Sequence, residues 1–136
     1  MNKVGIWIDE KEAKIVTIDE GNEQFDTISS KVEDYHVAGG SGSRLKGGPQ
    51  QVVQDSKYLG RKRHQLSAYF QDVISQISNA DAIVIFGPAQ TGIKFNNELS
   101  KKHHRLSEKV RSVEKADSMT DNQIKAWVRN YYNSIN

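Results

Sequence analysis

The chain has 136 residues, 36% apolar and 26% charged, which is enough for one domain and one hydrophobic core but not for two. Cysteine is absent, excluding disulfides, thiolate catalysis and thiolate metal sites, and the longest apolar run, Ala82–Phe86, falls far short of the roughly 20 residues of a membrane span. The formal net charge of +2 divides unevenly: residues 1–30 set three lysines against seven acids for a net of −4, so the remainder carries +6.

Val4, Ile6 and Ile8 alternate with other residues at the period of a strand, and Asp9–Glu12 reads as a polar turn. A second strand is expected over Ala13–Ile18, and Glu20-Gly21-Asn22 turns the chain into a third over Gln24–Ser30, making an antiparallel meander. The periodicity then stops. Residues 36–50, HVAGGSGSRLKGGPQ, hold five of the ten glycines and no apolar cluster, so a mobile loop is expected there.

After the loop, Val52, Leu59, Leu66 and Val73 recur every seven residues, with Phe70 and Ile77 on the same side. At 100° per residue these side chains fall within about 60° of arc, an amphipathic helix of about 25 residues. Arg63 falls on the apolar stripe, where an unpaired arginine is costly, so the first turns are expected to project beyond the core. Asp81–Phe86 reads as a buried strand ending in a Gly87-Pro88 turn, and a helix around Lys94–Arg105 buries Phe95 and Leu99. A short strand fits Lys109–Val113. Thr120 and Gln123 have the spacing of a capping box, and Ile124, Trp127, Val128 and Tyr131 give the last helix a packing face. The order βββαβαβα predicts an α/β fold, a mixed sheet with helices on its faces.

Positive charge concentrates in two segments. Residues 44–64 carry Arg44, Lys46, Lys57, Arg61, Lys62 and Arg63 against Asp55, and residues 101–115 carry six basic residues against Glu108 and Glu114. Clustered base of this kind is the footprint of a polyanion binder, and Tyr58 beside it offers a surface on which a base can stack.

Several features then resemble a known family. Gly47-Gly48-Pro49-Gln50 stands where the middle domain of archaeal and eukaryotic class-1 peptide release factors and Pelota carries a Gly-Gly-Gln motif, in a long loop after the third strand. Arg61-Lys62-Arg63 with Tyr69 is similar to the basic-then-aromatic stretch of the long helix that follows it there. Ile83–Pro88 and Lys94 resemble that domain's next strand, its small-residue turn and its lysine-leading helix. The resemblance covers nearly the whole chain and is closest to the small bacterial relatives of these factors. It implies a single domain over residues 1–136 with a ribonuclease-H-like fold. It also implies a cytoplasmic, translation-associated factor that binds the ribosome or structured RNA, including tRNA, and acts in ribosome rescue. The residues it nominates for RNA are Arg44, Lys46, Gly47, Gly48, Gln50, Lys57, Arg61, Lys62 and Arg63.

Two departures bear on chemistry. The flanking domains of release factors, which read the stop codon and recruit partners, have no counterpart in 136 residues. Pro49 interrupts the motif, and proline fixes φ, removes an N–H and restricts the residue before it. Hydrolysis of a peptidyl-tRNA ester, with Gln50 positioning water, is the alternative reading of this loop, beside a plain glycine-rich linker. A nuclease of this fold would need carboxylates converging on Asp9, which reads more simply as a turn residue, and a protein-docking module is the remaining possibility. His103-His104 reads as a solvated basic face and Gly87–Gly92 as a strand-to-helix turn lacking a P-loop ending. No metal or other cofactor is expected, and oligomeric state is not encoded in any pattern found.

Overall fold

The computed structural model describes residues 1–30 and 48–134, with residues 48–59 as backbone. The chain runs through β1 (Asn2–Ile8), β2 (Glu12–Asp19), β3 (Asn22–Ser29), α1 (Gly48–Gln76), β4 (Ala82–Gly87), α2 (Thr91–Lys102), α3 (His104–Ser107), β5 (Val110–Lys115) and α4 (Asp121–Ser134). One five-stranded mixed sheet has the order β3-β2-β1-β4-β5. β1, β2 and β3 form the expected antiparallel meander, while β4 lies parallel to β1 and β5 parallel to β4. This is the α/β fold, a mixed sheet with helices on its faces, that the order of elements predicts.

The meander is set by short-range rules. Glu20 (φ 48°) and Gly21 (φ 89°) both take left-handed dihedrals, the requirement of a two-residue hairpin turn whose twist matches its strands, and Asp19 pairs with Asn22 across it. At the other end of the sheet, Asp9 Oδ1 accepts the N–H groups of Lys11 and Glu12, both at 2.8 Å, and closes the β1–β2 turn. Gly87 sits at φ 147°, and a Cβ there would lie 2.4 Å from the carbonyl oxygen of Ile8, so only glycine lets β4 leave the sheet beside β1.

Both faces of the central strands are covered. Val4, Ile6, Ile8, Ile15, Ile83 and Ile85 pack beneath α1, α2 and α3, meeting Phe70, Val73, Ile77, Phe95, Leu99 and Leu106. On the opposite face Trp7, Val16, Val84 and Phe86 pack against α4 through Ile124, Val128 and Tyr132. The stripe read from the sequence is buried at Leu66, Phe70, Val73 and Ile77, while Val52 and Leu59 belong to the residues described as backbone. Two polar anchors hold the last helix and β1: Tyr132 Oη donates to the Val4 carbonyl at 2.6 Å, and Trp7 Nε1 donates to the Asp117 carbonyl at 3.3 Å. Phe86, Trp127 and Tyr131 stack in sequence, with ring centroids 3.8 and 5.6 Å apart. The capping box forms as expected: Gln123 N–H donates to Thr120 Oγ1 at 3.2 Å, and Thr120 N–H donates to Gln123 Oε1 at 2.9 Å.

Three sequence expectations are corrected. The long helix starts at Gly48, so Gly48, Pro49 and Gln50 form its first turn rather than the end of the expected 36–50 loop. Proline is well placed there, because the N–H it lacks has no partner at the start of a helix in any case. The helix expected over Lys94–Arg105 begins at Thr91 and breaks at His103 into a separate turn, α3. The strand expected over Lys109–Val113 runs over Val110–Lys115, and its pairing with β4 shifts between Ile83 and Val84. Among the described residues no helix is long and apolar enough to cross a membrane.

Candidate nucleic-acid interface

The basic segment of α1 lies at the end of the sheet where β1 finishes. From Leu66 onward the helix is seated on the core, but Gly60, Arg61, Arg63 and His64 are exposed. Arg63 lies on the apolar stripe by angle, as the sequence reading placed it, yet it is not buried. Among the described residues no core side chain packs on this stretch of the stripe, which becomes buried only from Leu66 onward. Lys62 is half-buried, and its Nζ lies 3.0 Å from Glu10 Oε1 in the β1–β2 turn. Two turns further on, Tyr69 is buried and donates its hydroxyl to the Asp9 carbonyl at 3.0 Å. Burial, with Asp9 and Glu12 nearby, pushes the Tyr69 phenol well above its usual range, so it stays a neutral donor at all physiological pH. Tyr69 is therefore a structural pin between helix and turn. Beside it a cleft of about 330 Å³ opens between the end of β3 and α1, lined by Ser29, Ser30, His64, Gln65 and Asp72 among others.

Of the residues nominated from the sequence, Arg44, Lys46 and Gly47 lie outside the described residues. Gly48, Gln50 and Lys57 belong to α1, described there as backbone. Arg61, Lys62 and Arg63 are gathered at one end of the sheet. Sequence reasoning missed Glu10 as the partner of Lys62, and no local pattern signals it, because 52 residues separate the two.

The second basic segment lies apart from the described part of the first. Arg105 and Lys109 line a groove of about 820 Å³ together with Gln71, Ser75, Ser78 and His103, over a floor of Ile74 and Leu106. The centres of the two stretches of α1 concerned, 61–64 and 71–76, are about 17 Å apart along a helix rising 1.5 Å per residue. Several charges here already have partners. Lys102 pairs with Glu98 at 3.1 Å, and His104 lies 3.5 Å from Glu108. His103 Nε2 lies 3.0 Å from Gln71 Oε1. Burial works against the Glu98 charge, but hydrogen bonds from Ser67, Lys102 and Gln71 outweigh it and hold the carboxyl below its usual value.

Three of the acids on which a nuclease reading would draw lie apart and are engaged elsewhere. Asp9 closes its turn, Asp81 accepts the Asn2 N–H at 2.8 Å, and Asp121 pairs with Lys14. Among the described residues no three His, Asp or Glu side chains come together as a metal cage.

The five-stranded mixed sheet with helices on both faces thus defines a single-sheet α/β domain. Among solved structures the chain is similar to the Pelota protein of Thermoplasma acidophilum, with a TM-score of 0.56 and 18% identity, covering 95% of this chain and 32% of that one. It is similar to Pelota of Archaeoglobus fulgidus, with a TM-score of 0.55 and 10% identity, covering 98% of this chain and 36% of that one. It is also similar to the archaeal translation termination factor aRF1, with a TM-score of 0.51 and 9% identity, covering 98% and 39%. The chain therefore has the fold of one domain of these proteins and spans about a third of their length. No family model and no curated protein matches it in sequence.

Proposed function

We propose that this domain is a translation-associated factor that binds the ribosome or structured RNA through α1 and the segment preceding it. The observation that carries the reading is the basic turn Arg61–His64, held outside the core on a domain with the fold of Pelota and aRF1. Guanidinium groups suit this task, since each offers a planar fork of donors to phosphate oxygens. Arg44, Lys46, Gly47, Gly48, Gln50 and Lys57 extend the same surface along the chain in this proposal. A role in ribosome rescue follows from the kinship of fold, and codon reading is assigned to no part of the domain.

Co-sedimentation with ribosomes at low and moderate salt tests this, wild type beside a triple Arg61→Ala/Lys62→Ala/Arg63→Ala variant. Salt-sensitive association that the triple variant loses supports the proposal; no association at any salt refutes it. Hydrolysis is a separate question with its own variant. Gln50→Ala changes no charge and keeps most of the salt-sensitive association, so loss of peptidyl-tRNA release in that variant would give Gln50 a catalytic role.

A further inference from the structure

The groove between the end of α1 and α3 measures about 820 Å³, within the range of natural ligand sites, about 300–1,000 Å³. Gln71, Ile74 and Ser75, at i, i+3 and i+4 along α1, line one side; Arg105, Leu106 and Lys109, from α3 and the turn after it, line the other. The two sides are tied together. Gln71 Nε2 donates to the Glu98 carboxylate at 3.1 Å, Ser67 Oγ donates to the same carboxylate at 2.8 Å, and Gln71 Oε1 lies 3.0 Å from His103 Nε2. A groove already held in shape gives up less freedom when it is filled.

Two features select the occupant. The floor is where this core comes nearest the surface: Leu106 and Ile74 are 9% and 5% exposed, whereas every other buried residue of the cluster except Leu66 is at 3% or less. An apolar side chain laid there completes the burial of both. The rim is basic. Arg105 and Lys109 are exposed, and neither side chain has an ion pair or hydrogen bond among the described residues. Glu108, the acid at this rim, faces His104 Nε2 at 3.5 Å. Phosphate and sugar gain little from an apolar floor, whereas carboxylates flanking an apolar side chain complement floor and rim together.

We infer that this groove docks an acidic segment of a partner protein, with one aliphatic or aromatic side chain over Ile74 and Leu106 and carboxylates paired with Arg105 and Lys109. The inference concerns a different stretch of α1 from the basic turn Arg61–His64 and stands without the RNA reading.

The test selects a phage-displayed library of random peptides on the immobilised full chain, then titrates the synthetic, fluorophore-labelled consensus peptide by anisotropy. The selected peptides are expected to share an apolar residue flanked by Asp or Glu. Arg105→Glu/Lys109→Glu weakens binding of the consensus peptide by about tenfold or more, because two attractions at the rim become repulsions. Lys125→Glu/Arg129→Glu makes the same change of charge on α4, across the sheet, and leaves binding as in wild type. Ser75→Trp, at an exposed position in the groove, fills it without entering the core and abolishes binding. Amide spectra unchanged away from each substitution show that the variants are folded. No enrichment, a consensus without acids, or a consensus peptide that binds Arg105→Glu/Lys109→Glu or Ser75→Trp as tightly as wild type overturns the inference. So does displacement of the peptide by a structured RNA whose own binding is lost in Arg105→Glu/Lys109→Glu, a result that assigns the rim to nucleic acid.

Discussion

Exchanging Arg63 for glutamine removes one positive charge from an exposed position that makes no ion pair among the described residues. Exchanging Lys62 removes a charge whose ammonium already faces Glu10 at 3.0 Å. If α1 contacts phosphates, the two changes differ in a calculable way. Each phosphate neutralised contributes a slope of about −0.7 to −0.9 to the dependence of log affinity on log salt. Arg63→Gln should therefore flatten the slope by nearly one, removing about a threefold loss of affinity over a fourfold rise in salt. Lys62→Gln should flatten it less, because in wild type a phosphate competes with Glu10 for the same ammonium. Glu10→Gln should act in the opposite direction, strengthening binding and steepening its salt dependence. Fluorescence anisotropy with a labelled structured RNA, at four or more salt concentrations, measures all three slopes. Equal slopes for wild type and Arg63→Gln, or weaker binding by Glu10→Gln, would refute the assignment of this end of the helix to phosphate contact.

The fold makes further predictions. A Cβ at Gly5 would lie 2.3 Å from Val128 Cγ2, so Gly5→Ala should displace α4 and cost about 1–3 kcal/mol by chemical denaturation. Adding Val128→Ala should recover part of that loss, and an additive double variant would show that the two side chains do not clash. Thr120→Ala removes the capping oxygen from α4 and should cost about 1 kcal/mol, checked as a shift in the denaturation midpoint at unchanged slope. Because the Glu98 carboxyl titrates below its unfolded value, its contribution is fully present above about pH 4.5 and is lost as pH falls through the folded value. Glu98→Gln should thus be less stable than wild type at pH 7, by roughly 1 kcal/mol, with the gap closing below about pH 4.5. A gap that stays constant down to pH 3 would remove Glu98 from the pH response.

Much of this domain is written in spacings of a few residues. The alternation of Val4, Ile6 and Ile8, the Glu20-Gly21 turn, the stripe from Leu66 to Ile77 and the Thr120–Gln123 box involve neighbours within one or two turns of chain. Local sterics and periodicity decide such features, so they are legible without the fold. Motif resemblance added the sheet class. Contacts between distant residues were not legible. Tyr132 anchoring to Val4, and Glu10 meeting Lys62, have no short-range signal. The exposure of Arg63 depended on where along the helix the core begins, a matter of axial position that an angular pattern does not contain. The basic segments at 44–64 and 101–115 look equivalent as charge counts. The tertiary structure separated the described parts of them by turning α2 and α3 along the body of α1. It also made Pro88–Thr91, part of a plain turn by its residues, the wall of a cavity beside Asp9–Lys11. That outcome depended on β1 and β4, more than seventy residues apart, finishing side by side.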